Sequence, residues 1–451
     1  MEGAFAVAES GRFRDNPLGH PRVVAPGMTV ERRNTTQAMP PSTRQAWLGI
    51  AWYALWLLLF SSLHPGPFVD EKVHQAAIVA IGEGAFTTPD VPMLPGYHWL
   101  VAAATTLVTP SLAASRITTF VLSAAALLIY CQIPSPGRAT PSPVLLAAFL
   151  PILFPYTSMV YTDGVGVFFF VGALREHIRG RHVPAAIIGL AACLVRQSSA
   201  VWIGFLMVWS AWNVWDGIPH HANATARVQM LARGLLPRIA GHLVALACLA
   251  AALALRGGVL ASRVPLNEPA FNVGNYYTLA FLVLLLWLPL WIADAPAAMR
   301  SLRARMEQEP WRVIAGAVVI ATLVVALTVT FSNWHPWNRY NAYLANIPLI
   351  AMDRYPVVRV LAVICVIAAV WLVTRRWSAD PNRRLLASLA AVTLLFLSFH
   401  SSVDVRYAIV PFLLADFLQD YSPVEVQRLT AWYAGICAVV AAMILTNIAG
   451  W

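Results

Sequence analysis

The apolar positions of this chain come in long runs, not in alternation. From Trp47 onward these runs follow one another with only short polar breaks, each long enough to cross all or part of a hydrocarbon core about 30 Å thick. Spanning helices are predicted over residues 47–63, 117–133, 143–155, 164–175, 184–194, 199–215, 239–255, 278–293, 313–331, 407–418 and 429–449. Residues 98–114 are apolar but carry His98 and several threonines, which suits a helix lying in the interface. The run 341–352 is short for a span and reads as re-entrant. The expectation is an all-α polytopic membrane protein in which one domain, residues 46–451, sends about eleven to thirteen helices across the bilayer.

The polar breaks set the direction of travel. Residues 1–45 hold Arg12, Arg14, Arg22, Arg32, Arg33 and Arg44 among Pro, Asn, Thr and Ser, without the apolar stretch of a cleaved signal, and read as a disordered cytoplasmic tail. Span 47–63 then carries the chain outward and places the loop from His64 to Tyr97 outside. That loop holds Asp70, Glu71, His74, Glu83 and Asp90 and ends in a proline-rich turn, Val91 to Tyr97, so it reads as structured and is longer than a plain connector needs. Further along, the arginine groups 175/179/181, 227/233/238 and 300/303/305 fall inside by the positive-inside rule, and a re-entrant 341–352 keeps 375/376/383/384 inside as well.

Composition agrees with the pattern. The 451 residues are 59% hydrophobic and 12% charged, with a mean hydropathy of +0.64, whereas soluble domains carry about 25% charged residues. A net charge of +10 does not point to nucleic acid, because the arginines are dispersed through loops and suit an anionic lipid surface. All 31 basic residues except Lys72 are arginine, which together with abundant alanine suggests a GC-rich bacterial genome. Cys131, Cys193, Cys248, Cys365 and Cys437 stand singly in or beside apolar runs, without CxxC spacing, and read as packing residues with no metal role.

With this topology five polar clusters gather at the outer face: Asp70/Glu71/His74, Tyr161/Asp163, Arg196/Gln197, His335/Asn338/Arg339 and Asp404/Arg406/Tyr407. Ionisable groups at helix ends beside hydrocarbon are costly and mark polar cavities. Each cluster has a plainer alternative: Arg339 and Arg406 as snorkelling side chains, Asp163 as a helix N-cap, Asp404 and Arg406 as a surface ion pair. Arginine binds phosphate bidentately and keeps its charge near lipid, while a carboxylate can accept the proton of an attacking hydroxyl. No phosphate-binding glycine loop, HExxH or GxSxG is present. The acid pair by itself leaves transferase, transporter and proton relay open.

An ordered set of short motifs narrows the choice. Asp70-Glu71-Lys72-Val73-His74-Gln75, Leu94-Pro95-Gly96-Tyr97, Phe154-Pro155-Tyr156 with Tyr161-Thr162-Asp163, Arg196-Gln197-Ser198, His335-Pro336 with Asn338-Arg339-Tyr340, and Asp404-Val405-Arg406-Tyr407 follow one another along the chain. In that order they resemble the dolichyl-phosphate-glucose-dependent alpha-1,2-glucosyltransferases, over nearly all of the chain after residue 45. The spacing between His335-Pro336 and Asn338-Arg339, and an Asp at 404 where the family usually has Glu, depart from the pattern.

The resemblance implies a GT-C glycosyltransferase fold, a polyprenyl-phosphate sugar donor and an active site on the luminal or periplasmic face. It implies Asp70 as the catalytic residue of the first outer loop, acting as general base, with Glu71 beside it in support. Arg196, His335, Arg339 and Arg406 are the candidates for the donor phosphate; His74, Tyr97, Asp163, Gln197, Asn338 and Tyr340 are candidates for sugar or acceptor contacts. The expected protein is an inverting hexosyltransferase, with glucose the first choice, acting on a lipid-linked or envelope glycan. It would sit in a bacterial inner membrane with a periplasmic site, or in the endoplasmic reticulum if eukaryotic. No obligatory cofactor or metal is expected. A secondary transporter or flippase of lipid-linked sugars is the competing class.

Overall fold

The computed structural model describes residues 40–86, 91, 93–106, 109–134, 143–255, 269–340 and 346–446. Most of the predicted tail, and Asp90, lie outside these residues. All regular structure among the described residues is helical.

Helix α1, Pro41–Leu63, starts on a proline at its first turn, where a missing N–H costs nothing, and runs for 23 residues. The loop after α1 then folds into two short helices, α2 (Glu71–Gly82) and α3 (Gly96–Thr106), each too short to cross a bilayer. They are held down by an apolar cluster in which Ile78, Tyr97, Val101 and Ala102 meet Val160, Val165 and Val195. This loop is therefore structured, and it rests on residues much further along the chain.

Helix α4, Leu112–Tyr130, begins at a serine N-cap whose side chain accepts from the Ala114 N–H. The segment expected to span at 143–155 does not form a spanning helix. Pro151 and Pro155 interrupt it, leaving α5 (Val144–Ala148), buried except for a partly exposed Leu145, and a single, wholly buried 3-10 turn, Phe154–Thr157. Next come α6 (Thr162–Ile178), α7 (His182–Val195) and α8 (Ser199–Asp216). Helix α9, Ala224–Leu255, extends for 32 residues and absorbs Arg227, Arg233 and Arg238, expected in a loop, into its first turns.

The predicted span 278–293 is broken. α10 (Gly274–Leu286) and α11 (Leu288–Gln308) meet at Trp287 with a bend of 81°. Helix α12, Pro310–Thr330, buries none of its side chains. The short α13 (Pro336–Tyr340) and α14 (Ile347–Arg354) precede α15 (Pro356–Ala379), which buries only Val363 and Ala369. The chain closes with α16 (Arg383–Leu397), α17 (Ile409–Leu418) and α18 (Pro423–Leu445).

Six helices, α1, α4, α9, α12, α15 and α18, are long and apolar enough to cross a membrane alone, and the bent α10/α11 pair makes a seventh if it counts as one span. The bare apolar surfaces of α12 and α15 are stable only against hydrocarbon. The protein is an all-α polytopic membrane protein. Its main core lies where α1, α4, α6 and α8 pack with α17, α18 and the buried 144–161 segment, around Trp56, Phe154, Phe170, Phe205 and Phe417.

Candidate active site

The site grows from the end of α1. Val69 holds a φ of 48°, a left-handed conformation costly for a β-branched residue, and it sits immediately before Asp70. Three interactions hold this backbone in place. The Phe68 N–H donates to Glu71 Oε2 at 2.9 Å, and Arg116 donates to the His64 carbonyl at 2.6 Å and the Gly66 carbonyl at 2.9 Å. Arg116 also grips Glu71 with both ends of its fork, Nε to Oε1 at 3.0 Å and Nη2 to Oε2 at 2.6 Å. Oε1 accepts the Val160 N–H as well, at 2.9 Å. Glu71 is 0% exposed and Arg116 2%. Its hydrogen-bonding capacity is taken up inside the protein, which gives it a positioning role.

Asp70 is treated differently. It occupies the N-cap position of α2, yet its carboxylate makes no capping hydrogen bond. Its backbone is engaged at both ends: the N–H donates to the Tyr161 hydroxyl at 3.1 Å, and the carbonyl accepts the Val73 and His74 N–H groups. The side chain is half-buried. Burial raises its pKa above the ordinary aspartate value, Arg406 offsets part of that, and the neighbouring Asp404 and Asp163 carboxylates add to it. A half-buried carboxylate with free lone pairs and a raised pKa is a better proton acceptor than an exposed one.

Opposite Asp70 lies a chain of alternating charges. Asp163, on the first turn of α6, is ion-paired with Arg196 and stands 4.0 Å from Arg406 Nη1. Arg406 in turn holds Asp404, Nε to Oδ2 at 2.7 Å and Nη2 at 2.5 Å. Burial opposes ionisation of Asp404, but the Arg406 charge and its hydrogen bonds, with Arg196 behind, outweigh that and hold the pKa below its usual value. The Arg406 guanidinium also lies over Tyr156 and Tyr161, 5.7 and 5.5 Å from the ring centroids. Asp163 is the second residue of its helix, so the N-cap alternative does not apply. Gly164 beside it has no room for a side chain, since a Cβ there would lie 3.0 Å from the Tyr156 carbonyl oxygen.

Two polar atoms in this region have no hydrogen-bond partner: Asp163 Oδ2 and Gln197 Nε2, both buried. Unsatisfied buried groups are rare in native proteins and call for an explanation. His74 is buried against His98, Nδ1 to Nε2 at 2.9 Å, with its ring 5.4 Å from Tyr161. Tyr97 is 0% exposed and its hydroxyl meets Thr119 at 2.9 Å, so it serves the packing under the site.

Four of the five sequence clusters thus converge. The fifth is tied to them through the backbone. Asn338, fully buried, accepts the Val403 N–H at 2.9 Å and donates to the Val403 carbonyl at 2.8 Å, pinning the residue before Asp404. Its other donor reaches Asn346 Oδ1, also at 2.8 Å. His335 is buried nearby in sequence, whereas Arg339 is half exposed, 4.0 Å from Asp353, and Tyr340 is 74% exposed. Arg339 and Tyr340 make no described contact with the Asp163 and Arg406 group.

Sequence reading missed Arg116. It falls just before the span expected at 117–133, yet a lone charge inside the apolar helix 112–130 is itself a signal of a buried partner. His98 was read as an interfacial residue and is instead buried on His74. Among the described residues no three His, Cys, Asp or Glu side chains form a group able to hold a metal ion.

No curated protein and no solved structure matches the chain. The model of the DIE2/ALG10 family, the dolichyl-phosphate-glucose-dependent alpha-1,2-glucosyltransferases, matches residues 64–417, from the end of α1 to the end of α17 and across every charged group described above. The chain belongs to this family of membrane glucosyltransferases.

Proposed function

We propose that the protein transfers glucose, with inversion, from a polyprenyl phosphate to a hydroxyl of a lipid-linked or envelope glycan at the outer face of the membrane. The observation that carries this reading is that Asp70, a carboxylate free of hydrogen bonds among the described residues, lies within electrostatic reach of Arg406, which shares Asp163 with Arg196. The acceptor hydroxyl attacks the anomeric carbon as its proton passes to Asp70. The bond between that carbon and the phosphate oxygen breaks, and the polyprenyl phosphate leaves with the electron pair. One base suffices for a single displacement.

Arg406 and Arg196 are placed to stabilise the charge that develops on the departing phosphate. Both are already partnered by carboxylates, so phosphate binding exchanges part of the Asp163 and Asp404 contacts for contacts to the donor. Asp163 Oδ2 and Gln197 Nε2, which make no hydrogen bond among the described residues, supply an acceptor and a donor for sugar hydroxyls. Glu71 and Arg116 keep Asp70 at its place. Asn338 fixes the loop that presents Arg406, and His335 remains a candidate for the donor phosphate.

The test is direct. Purified protein in liposomes, given polyprenyl-phosphate-[14C]glucose and a lipid-linked glycan, is expected to yield a glycan larger by one hexose. Movement of the labelled donor across the bilayer with no new glycosidic bond would replace this reading with a flippase.

A further inference from the structure

A groove of about 1000 Å³ lies between α15 and α16, floored by α10 and α17. Its polarity is uneven along its length. Trp377, Arg383 and Arg384 stand at one end, where α15 finishes and α16 begins. Beyond them the walls are apolar, with Ala369, Leu389 and Phe412 among them, and Val370 and Leu394 are exposed, so the groove is open along its side. At the far end the Tyr276 hydroxyl is bonded to Ser398 and to the Leu394 carbonyl, and its polarity is spent inside the protein. The charged end is different. Arg384 is ion-paired with Asp216 and lies over Trp212, whereas among the described residues Arg383 has no acidic partner and the buried Trp377 Nε1 no hydrogen-bond acceptor.

The geometry points to a binding site for one anionic phospholipid, with the headgroup phosphate on Arg383 and the Trp377 N–H and the acyl chains along the groove. Charge complementarity sets the head: an unpaired guanidinium takes a phosphate bidentately, and the indole N–H adds a third donor. Length sets the tail. From Ser378 to Val366 along α15 the groove runs about 18 Å, at about 1.5 Å per residue. That is close to the roughly 15 Å that one leaflet contributes to the hydrocarbon core. A tail much longer than a leaflet would find no wall for most of its length. The arginine group 375/376/383/384 is also the one that the positive-inside rule assigns to the cytoplasmic leaflet, where anionic lipids concentrate.

The site is remote from the transfer chemistry and independent of it. Arg383 opens α16 and Asp404 follows its other end, and a 15-residue helix is about 22 Å long. The lipid is therefore a structural ligand and not a substrate. Trp287, at the 81° bend between α10 and α11, lines the groove and packs on Trp377 with ring centroids 6.2 Å apart, so an occupied groove braces the bend.

The test uses the full-length protein in liposomes of equal parts phosphatidylglycerol and phosphatidylcholine with identical acyl chains, released into mild detergent and weighed intact by native mass spectrometry. One phosphatidylglycerol is expected to stay bound, preferred about fivefold or more over phosphatidylcholine, which is what one arginine at an anionic headgroup supplies. Arg383→Gln should bring the two lipids to near parity, and Ala390→Trp, which fills the groove, should remove the retained lipid. Ala362→Trp, in the uncharged cavity on the other side of α10, should leave retention unchanged. Equal retention of both lipids by the unaltered chain, a preference that survives Ala390→Trp, or displacement of the lipid by equimolar polyprenyl phosphate would overturn the assignment. The comparison of the two lipids uses the unaltered chain and decides the matter even if a variant does not fold.

Discussion

Two neighbouring groups of buried charge, one around Glu71 and Arg116 and one around Asp163, Arg196, Arg406 and Asp404, have opposite characters. In the first, a bidentate ion pair is closed by the Val160 and Phe68 N–H groups and two loop carbonyls. In the second, among the described residues, Asp163 Oδ2 and Gln197 Nε2 make no hydrogen bond and the Asp70 carboxylate makes no capping one. A saturated network specifies structure; an unsaturated one beside it is held ready for a ligand. The two adjacent acids of one loop are divided between these tasks.

Breaking the first group should cost folding most, and chemistry through the displacement of Asp70. Arg116→Met leaves Glu71 buried without its counter-ion, and thermal unfolding in detergent should register a loss of about 3–5 kcal/mol. The double variant with Glu71→Gln should recover part of it. A milder loss with full activity would mean that Asp70 does not depend on the knot. In the second group, Arg406→Lys removes the fork that holds Asp404 and faces the donor. Steady-state kinetics should show kcat/KM down by roughly 1.5–3 kcal/mol of lost charge-assisted bonding, with the fold retained. Between the two groups, Asn338→Ala should cost about 1–3 kcal/mol of stability by unpairing the Val403 backbone. It should also lower activity through the displaced Arg406 loop.

The smallest effect is on pH. Asp70 must be ionised to accept a proton, and its pKa lies above the ordinary value near 3.9. Activity should therefore fall on acidification at a higher pH than an ordinary aspartate would give. Its stability contribution has the opposite sense. A raised folded-state pKa contributes stability that is present below the unfolded pKa and is lost as pH rises through the folded one. Replacing Asp70 by a neutral residue should thus not lower the melting temperature at neutral pH. An acid limb at the ordinary aspartate value would contradict the partly buried placement.

Much of this was legible in the sequence. Long apolar runs gave the helical membrane class, and ordered motifs brought Asp70, Asp163, Arg196 and Arg406 forward together. Breaks inside apolar runs were harder to read. The turn at Trp287 leaves no gap in hydropathy, and the prolines at 151 and 155 stand in a segment whose burial by the rest of the protein hides its lack of helix. Roles within the site were also hidden. Asn338 reads like a sugar ligand until its side chain is found on Val403, and Arg116 reads like a loop residue until Glu71 is found against it. Both assignments depend on partners tens of residues away, which local pattern does not encode.

The most direct test compares Asp70→Asn with the unaltered protein, at equal folded concentration and saturating polyprenyl-phosphate-glucose, by the rate of glucose transfer to a lipid-linked glycan. The division of labour within the acid pair requires a loss of about 10²- to 10⁴-fold in kcat, with donor binding retained. Transfer by Asp70→Asn at the unaltered rate would contradict it.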